Sequence, residues 1–450
     1  LVAFETLLLG IVIGRVPVAL MVSPPAVSVE MRLDDCSLGR LDAPPWRFVV
    51  DLGAGPMPHR LAAVARDVSG REVGRATQGV NLGDERATLS ALLERDAATQ
   101  QPTSVRLAWN SVEDARPQAV VVTLDGKALP VADPNRVAIP KLAMSEPHVL
   151  AAEATFVGGT RARADLAFGG DIAEETKSQL TAVAVRVPDG QPEIEVRDLK
   201  GVFAVGSTSL EPIGVDASYA EVALVVDQSV QAEIANHQAR WASRRKVSRW
   251  TPADAAPIAV MPGAGDDRLF AVHTVPDFMF GSGYDRAYFH MQGPMCLRWL
   301  AAYPLLGSLA FEPTPPAGQR IAEAVAVAAS RLAAFNHRRA LVLVLAEPPT
   351  SAAKGPIAYD ASAYTAAAVK AYLAALDVPL VVWSLTGNTP GPVTTAWGPA
   401  APVPDRWEMQ SQARKLMRDL ASQRIVWLAG RHLPQRITLD EAKTALRFAR

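Results

Sequence analysis

The strings PHRLAAVA, beginning at Pro58, and PHVLAAEA, beginning at Pro147, are near-copies of one another. A repeat on this scale restricts the first part of the chain to two similar units in tandem. Their surroundings repeat in the same order. VSVEMRLDD and AVVVTLDGKAL alternate apolar and polar residues and contain turn chemistry at Asp34–Asp35 and Asp125–Gly126. A proline-containing extended segment follows in each, LDAPPWRFVVDL or VADPNRVAIPKL, and then the string itself, as a strand. A tight turn (DVSGRE or VGGTR) and a closing strand (EVGRATQGV or ARADLAFGG) complete each unit. Short strands at regular spacing with Gly, Pro and Asp turns predict two antiparallel β-sandwiches, over 1–87 and 88–186.

This pattern resembles bacterial immunoglobulin-like modules, whose late strand often reads Gly/Pro-His-x-Leu before a Gly-containing hairpin. Within each string, His59 and His148 share a strand face with Leu61 and Leu150 two positions on. A metal or catalytic role would need partner His, Cys or carboxylates at ligand geometry. No such cluster accompanies either string, so the histidines read as architecture, with a packed ring and one nitrogen bonded to backbone.

Residues 187–218, with VPDGQPEIEVRDL and GVFAVGSTSLEPIGVD, read as a connector or hairpin docked on the next domain. From Tyr219 the pattern changes. AEVALVVDQS is a continuous apolar run, as expected of a parallel strand buried on both faces. Strand-like RLFAVHTVP, RALVLVLAE, VPLVVWSLTG and QRIVWLAG then alternate with helix-like VQAEIANHQARWASRRK, QRIAEAVAVAASRLAAF, ASAYTAAAVKAYLAAL and DRWEMQSQARKLMRDLAS. The alternation predicts a doubly wound, mostly parallel, Rossmann-like α/β domain over 219–450, with ligands gathering at the carboxyl ends of its strands. The tail, HLPQRITLDEAKTALRFAR, reads as a short terminal helix.

The first of those strands ends in Asp227 with Ser229 two residues later, which resembles the von Willebrand factor A domain and its Asp-x-Ser-x-Ser motif. In that family these residues, a threonine before a later helix and an aspartate after the fourth strand surround a divalent cation, and hard cations take such oxygen ligands. Here the third position is Gln231, the threonine position aligns with Gln319 and the aspartate position with Glu347. The layout also resembles bacterial von Willebrand A-domain-related proteins of the acidobacterial type. What the resemblance implies is an A-like domain whose cation site is degenerate. The alternative is that Asp227, Ser229 and Glu347 hold Mg²⁺ and the domain binds an acidic ligand side chain.

The segment at about 274–310 concentrates Phe278, Phe280, Tyr284, Tyr288 and Phe289 and reads as an aromatic insertion that covers a sheet edge or forms an interface. RWASRRKVSRW interleaves arginines with Trp241 and Trp250. With a formal net charge of -1 over the chain, it reads as a helix C-terminus rather than a nucleic-acid surface. The two cysteines make no disulfide framework. The run LLLGIVIG is too short to span a bilayer, so no transmembrane segment is expected, and neither the basic start nor the small-residue cleavage site of a secretory signal is visible.

No nucleophile elbow, zinc-protease helix or phosphate-binding loop appears. The chain therefore reads as a non-enzymatic protein-binding or scaffolding protein without a cofactor, possessing protein partners and exported to the periplasm or cell surface. An enzyme using the strand-end cleft is the remaining alternative.

Overall fold

The computed structural model describes the chain except residues 1, 7, 9, 83–86, 97–98, 100, 112–115, 157–160, 171–179, 189–193, 218, 227–261, 263–265, 281–284, 298–299, 301–319, 335, 347–361, 386–390 and 404–405. The first module comprises β1 (Val2–Phe4), β2 (Arg15–Val22), β3 (Ser28–Leu33), β4 (Cys36–Leu41), β5 (Arg47–Asp51), β6 (His59–Arg66) and β7 (Glu72–Val80). They form two antiparallel sheets, β1-β2-β5 and β4-β3-β6-β7. Val18 and Leu20 of one sheet meet Val29, Met31, Leu61, Ala63 and Ala65 of the other, as the period-two spacing of β6 requires.

The second module repeats this strand for strand. Its elements are β8 (Ala87–Arg95), β9 (Pro102–Ser111), β10 (Ala119–Leu124), β11 (Lys127–Leu129), β12 (Val137–Ala138), β13 (Pro147–Thr155) and β14 (Arg161–Gly169). The sheets are β12-β9-β8 and β11-β10-β13-β14, around Val105, Leu107, Val122, Leu150, Ala152 and Ala154. The duplication seen in eight residues therefore extends to the topology of both sandwiches.

The α/β domain runs β19 (Ala220–Val226), β20 (Arg268–Phe280), β21 (Asp285–Cys296), α1 (Ile321–Ala333), β22 (Arg338–Leu345), α2 (Ala366–Ala375), β23 (Leu380–Ser384), α3 (Pro392–Trp397), β24 (Ala400–Pro402) and α4 (Arg406–Ala421). Its sheet has the order β21-β20-β19-β22-β23-β24, parallel except for β21. Every residue of β19 is buried because both faces are covered. Val222 and Leu224 belong to the core containing Met409, Ala413 and Leu416 of α4, whereas Ala223 and Val225 belong to that of α1 and α2. Among the described residues no helix is long and apolar enough to cross a membrane.

Three expectations are corrected. QRIVWLAG, expected as a parallel strand, is β25 (Gln423–Ala429) and lies outside that sheet. It pairs antiparallel with β15 (Leu180–Arg186) and β18 (Pro212–Asp216). A strand buried on both faces carries the same apolar run in either kind of sheet, so its sequence did not distinguish them. The terminal helix does not form. β26 (Ile437–Leu439) pairs with β16 (Phe203–Val205), itself joined to β17 (Thr208–Ser209), and β27 (Arg447–Phe448) adds to β15. So short a helix is marginal by itself, and burying Ile437 and Leu446 in a β-core prevails. The connector and the tail thus make one small β-unit, from whose two halves the α/β domain emerges. Finally, the aromatic segment expected as an insertion belongs largely to the β20–β21 hairpin of the sheet.

Candidate functional site

In a doubly wound sheet, ligands bind where the strand order reverses, beyond the carboxyl ends. Here that point lies between β19 and β22, whose last register pair is Val226 with Val344. Asp227 directly follows β19, and Glu347 follows Ala346 beyond β22. The two chain segments therefore leave adjacent strands at the switch point. Asp227, Ser229, Gln231, Gln319, Glu347 and Tyr284 themselves lie outside the described residues. Phe278 falls in β20 opposite Ala287, Phe280 ends that strand, and Tyr288 and Phe289 fall in β21. Among the described residues no group of three or more His, Cys, Asp or Glu is placed to hold a metal ion.

The opposite, amino ends of the same strands carry a buried polar cluster that the sequence reading did not single out. Glu153 of β13 is its centre. It accepts hydrogen bonds from Arg161 Nη1 (3.2 Å), Arg268 Nη1 (3.3 Å), His337 Nε2 (2.8 Å) and the Tyr219 hydroxyl. Arg161 of β14 reaches across to Glu221 of β19 with two bonds, of 2.8 and 3.0 Å. Arg163 Nη1 lies 3.2 Å from His337 Nδ1 and 3.3 Å from its Nε2, Arg163 Nε donates to Asp165 at 2.8 Å, and the guanidinium lies over the Trp427 ring. Burial works to raise Glu153, but Arg161, His337 and Arg268 outweigh it and hold the carboxyl well below the usual range. Burial, then Arg163, depresses His337 to about 4 against the pull of Glu153. The ring is therefore neutral at pH 7, with Nε2 carrying the proton that Glu153 accepts. Burial and Glu153 push Tyr219 well up, so it remains a donor.

The signal was present in the sequence. Glu153 stands in PHVLAAEA where PHRLAAVA has Val64, and Glu221 interrupts the apolar AEVALVV. A charge within an otherwise buried strand needs partners, and these come from four other elements. Chemically the cluster is a network of opposed charges, in which Arg163 Nη2 and Arg268 Nε are buried without a partner among the described residues, suited to fixing one body against another.

His59 and His148 each have a partner that local sequence did not offer. His59 Nδ1 lies 2.7 Å from Asp34 Oδ2, while Asp34 Oδ1 accepts from Arg60 N at 2.8 Å. In the second module His148 Nδ1 lies 2.8 Å from Asp125 Oδ2, and Asp125 Oδ1 accepts from Val149 N at 2.9 Å. His148 Nε2 also meets the backbone, 3.2 Å from Ala143 O. Burial would raise Asp34, but His59 and the Arg60 amide hold it below the ordinary value. Both aspartates occupy two-residue hairpin turns with positive φ at each central position, 52° and 73° in one and 47° and 75° in the other. Each histidine therefore clamps a turn onto the start of the neighbouring strand.

Those turns face the rest of the molecule. Arg436 Nη2 donates to Asp34 O at 2.7 Å, Arg60 Nη1 to Arg431 O at 3.2 Å, and Gln435 Nε2 to Pro58 O at 2.8 Å. Gly126 sits so near Asp216 that a Cβ there would lie 2.6 Å from Oδ1. Val149 and Ala167 share a core with Ile213, Ile425 and Trp427. At its other end the first module meets α2, where the Tyr372 hydroxyl donates to Asn81 O at 2.7 Å.

No protein-family model matches the chain, and no curated protein matches it. Among solved structures, the fibronectin(III)-like modules of Clostridium thermocellum CbhA are similar at 13% identity over 38% of this chain and 93% of theirs, with a TM-score of 0.16. The central fibronectin-III array of RIM-binding protein is similar at 14% identity over 46% of this chain and 84% of its own, at 0.21. A β-glycosidase from Bacteroides vulgatus is similar at 10% identity over 37% of this chain and only 24% of its own, at 0.20. The fold rests on the strand pairings: two-sheet antiparallel β-modules followed by a mixed, mostly parallel α/β sheet.

Proposed function

We propose that this is a non-enzymatic binding or scaffolding protein whose partner docks at the carboxyl ends of β19 and β22. The observation that carries this reading is the side on which the second β-module is fastened. Glu221, Arg268 and His337 lie at the amino ends of their strands, and it is there that β13 and β14 attach. The switch point between β19 and β22 is at the far end of those strands, directed away from that joint. The sheet order, with its single antiparallel strand β21 at one edge, agrees with the von Willebrand A-like reading of VVDQS.

The test is affinity capture from the source cell with the full chain, comparing wild type with the Asp227→Ala/Glu347→Ala double variant. A partner held by wild type and lost with the double variant, while folding by circular dichroism is unchanged, supports the reading. Equal capture by both overturns it. Repeating the capture in EDTA separates a cation-dependent contact from one made by shape and hydrogen bonding.

A further inference from the structure

We propose that the joint between the second β-module and the α/β domain is an acid-released latch, opened when His337 takes up a solvent proton at Nδ1. The inference is independent of what the strand-end face binds. His337 sits immediately before β22, and its ring is flanked by groups from every element around it. Glu153 comes from β13, Arg163 and Asp165 from β14, Tyr219 and Glu221 from the start of β19, and Arg268 from β20. The ring centroids of Tyr219 and His337 are 4.0 Å apart, and Asn336 donates to Asp165 at 3.3 Å.

A neutral imidazole offers one donor and one acceptor, and here Nε2–H goes to Glu153 while Arg163 Nη1 stands against the ring, 3.2 Å from Nδ1 and 3.3 Å from Nε2. A proton on Nδ1 turns the second contact into two donors and two positive charges facing each other at 3.2 Å. Arg163 has no proton to give up, since an arginine stays charged in proteins. Arg163 belongs to the module and His337 to the α/β domain, so the repulsion acts across the joint.

Three of the four donors to Glu153 also come from the α/β side, so the same contacts that hold the joint are lost together. The imidazole's buried value of about 4 against 6.5 in water means that acid favours a state with the ring solvated. Each body retains its own core when they part: Leu150 and Val122 in the module, Leu224 and Val342 in the α/β sheet.

The experiment is small-angle scattering of the full chain from about pH 7.5 to about pH 3.5, with far-ultraviolet circular dichroism in parallel. Wild type should expand between 6.5 and about 4 while its dichroism holds. His337→Gln offers the same donor and acceptor without a titratable ring, and should move the expansion down by at least about one pH unit. Arg163→Gln, which removes the opposing charge, should shift it the same way and serves if the first variant fails to fold. Unchanged midpoints in the folded variants overturn the proposal. So does expansion of wild type that coincides with loss of its dichroism.

Discussion

The two β-modules share seven strands and a histidine clamp, yet they are fastened by opposite means. PHRLAAVA and PHVLAAEA differ at two positions only, Arg60 against Val149 and Val64 against Glu153. In the first module Arg60 docks at the surface, on Asp35 and the Arg431 carbonyl, and Val64 is wholly buried. In the second, Val149 joins an apolar contact and Glu153 anchors the buried cluster. The clamped turns differ in the same sense. Asp35 tolerates a φ of 73° and uses its carboxylate for Arg60, whereas Gly126, at 75°, is pressed against Asp216. Duplication preserved the sandwich, because inward positions answer only to their own core. The outward positions diverged because each copy meets a different neighbour.

The largest effect should come from breaking the buried fastening. Arg161→Ala leaves Glu153 and Glu221 without their shared cation and should cost about 3–5 kcal/mol in urea unfolding at neutral pH. A loss no greater than that of a surface pair would refute the contrast. The next effect is in acid. With the folded imidazole at about 4 and the unfolded one at 6.5, the unfolded chain binds more protons between these values, so stability falls as pH falls through that window. About 3 kcal/mol should disappear, and the His337→Gln variant should show a correspondingly flatter urea profile. Glu153, held low, adds its own loss at still lower pH, in the same direction.

Turn chemistry comes third. Gly126→Ala meets both a positive φ and the Asp216 carboxylate, and should destabilise by about 1–3 kcal/mol in thermal or urea melts. Asp35→Gly, its counterpart, relieves the backbone while losing a surface ion pair, and should stay within about 0.5 kcal/mol of wild type. Equal penalties would show that the two turns are not under different constraints. Arg60→Ala, which removes the same surface pair from its other side, should likewise cost no more than about 0.5 kcal/mol in urea melts and be weaker still in high salt.

Local pattern made much of this legible. Alternation gave the strands of both sandwiches, Asp34–Asp35 and Asp125–Gly126 gave their hairpin turns, and the run AEVALVV gave a doubly covered parallel strand. The clamps were half visible: the histidines were picked out, but their aspartates stand a whole sandwich crossover away in sequence. Glu153 and Glu221 were odd charges in apolar strands, which signals a need for partners without naming them. His337, in a charged stretch before β22, carried no signal at all.

By itself, then, the sequence determined what depends on neighbours along the chain: strand periodicity, turn residues, helix spacing and the repeat. Tertiary structure alone decided which sheet QRIVWLAG would enter, that the tail would pair with residues 180–216 rather than coil into a helix, and which cations would meet Glu153. An apolar run reports that a strand is covered, not by what. A buried charge likewise requires compensation, but its partners are fixed only when separate elements are brought within hydrogen-bonding distance.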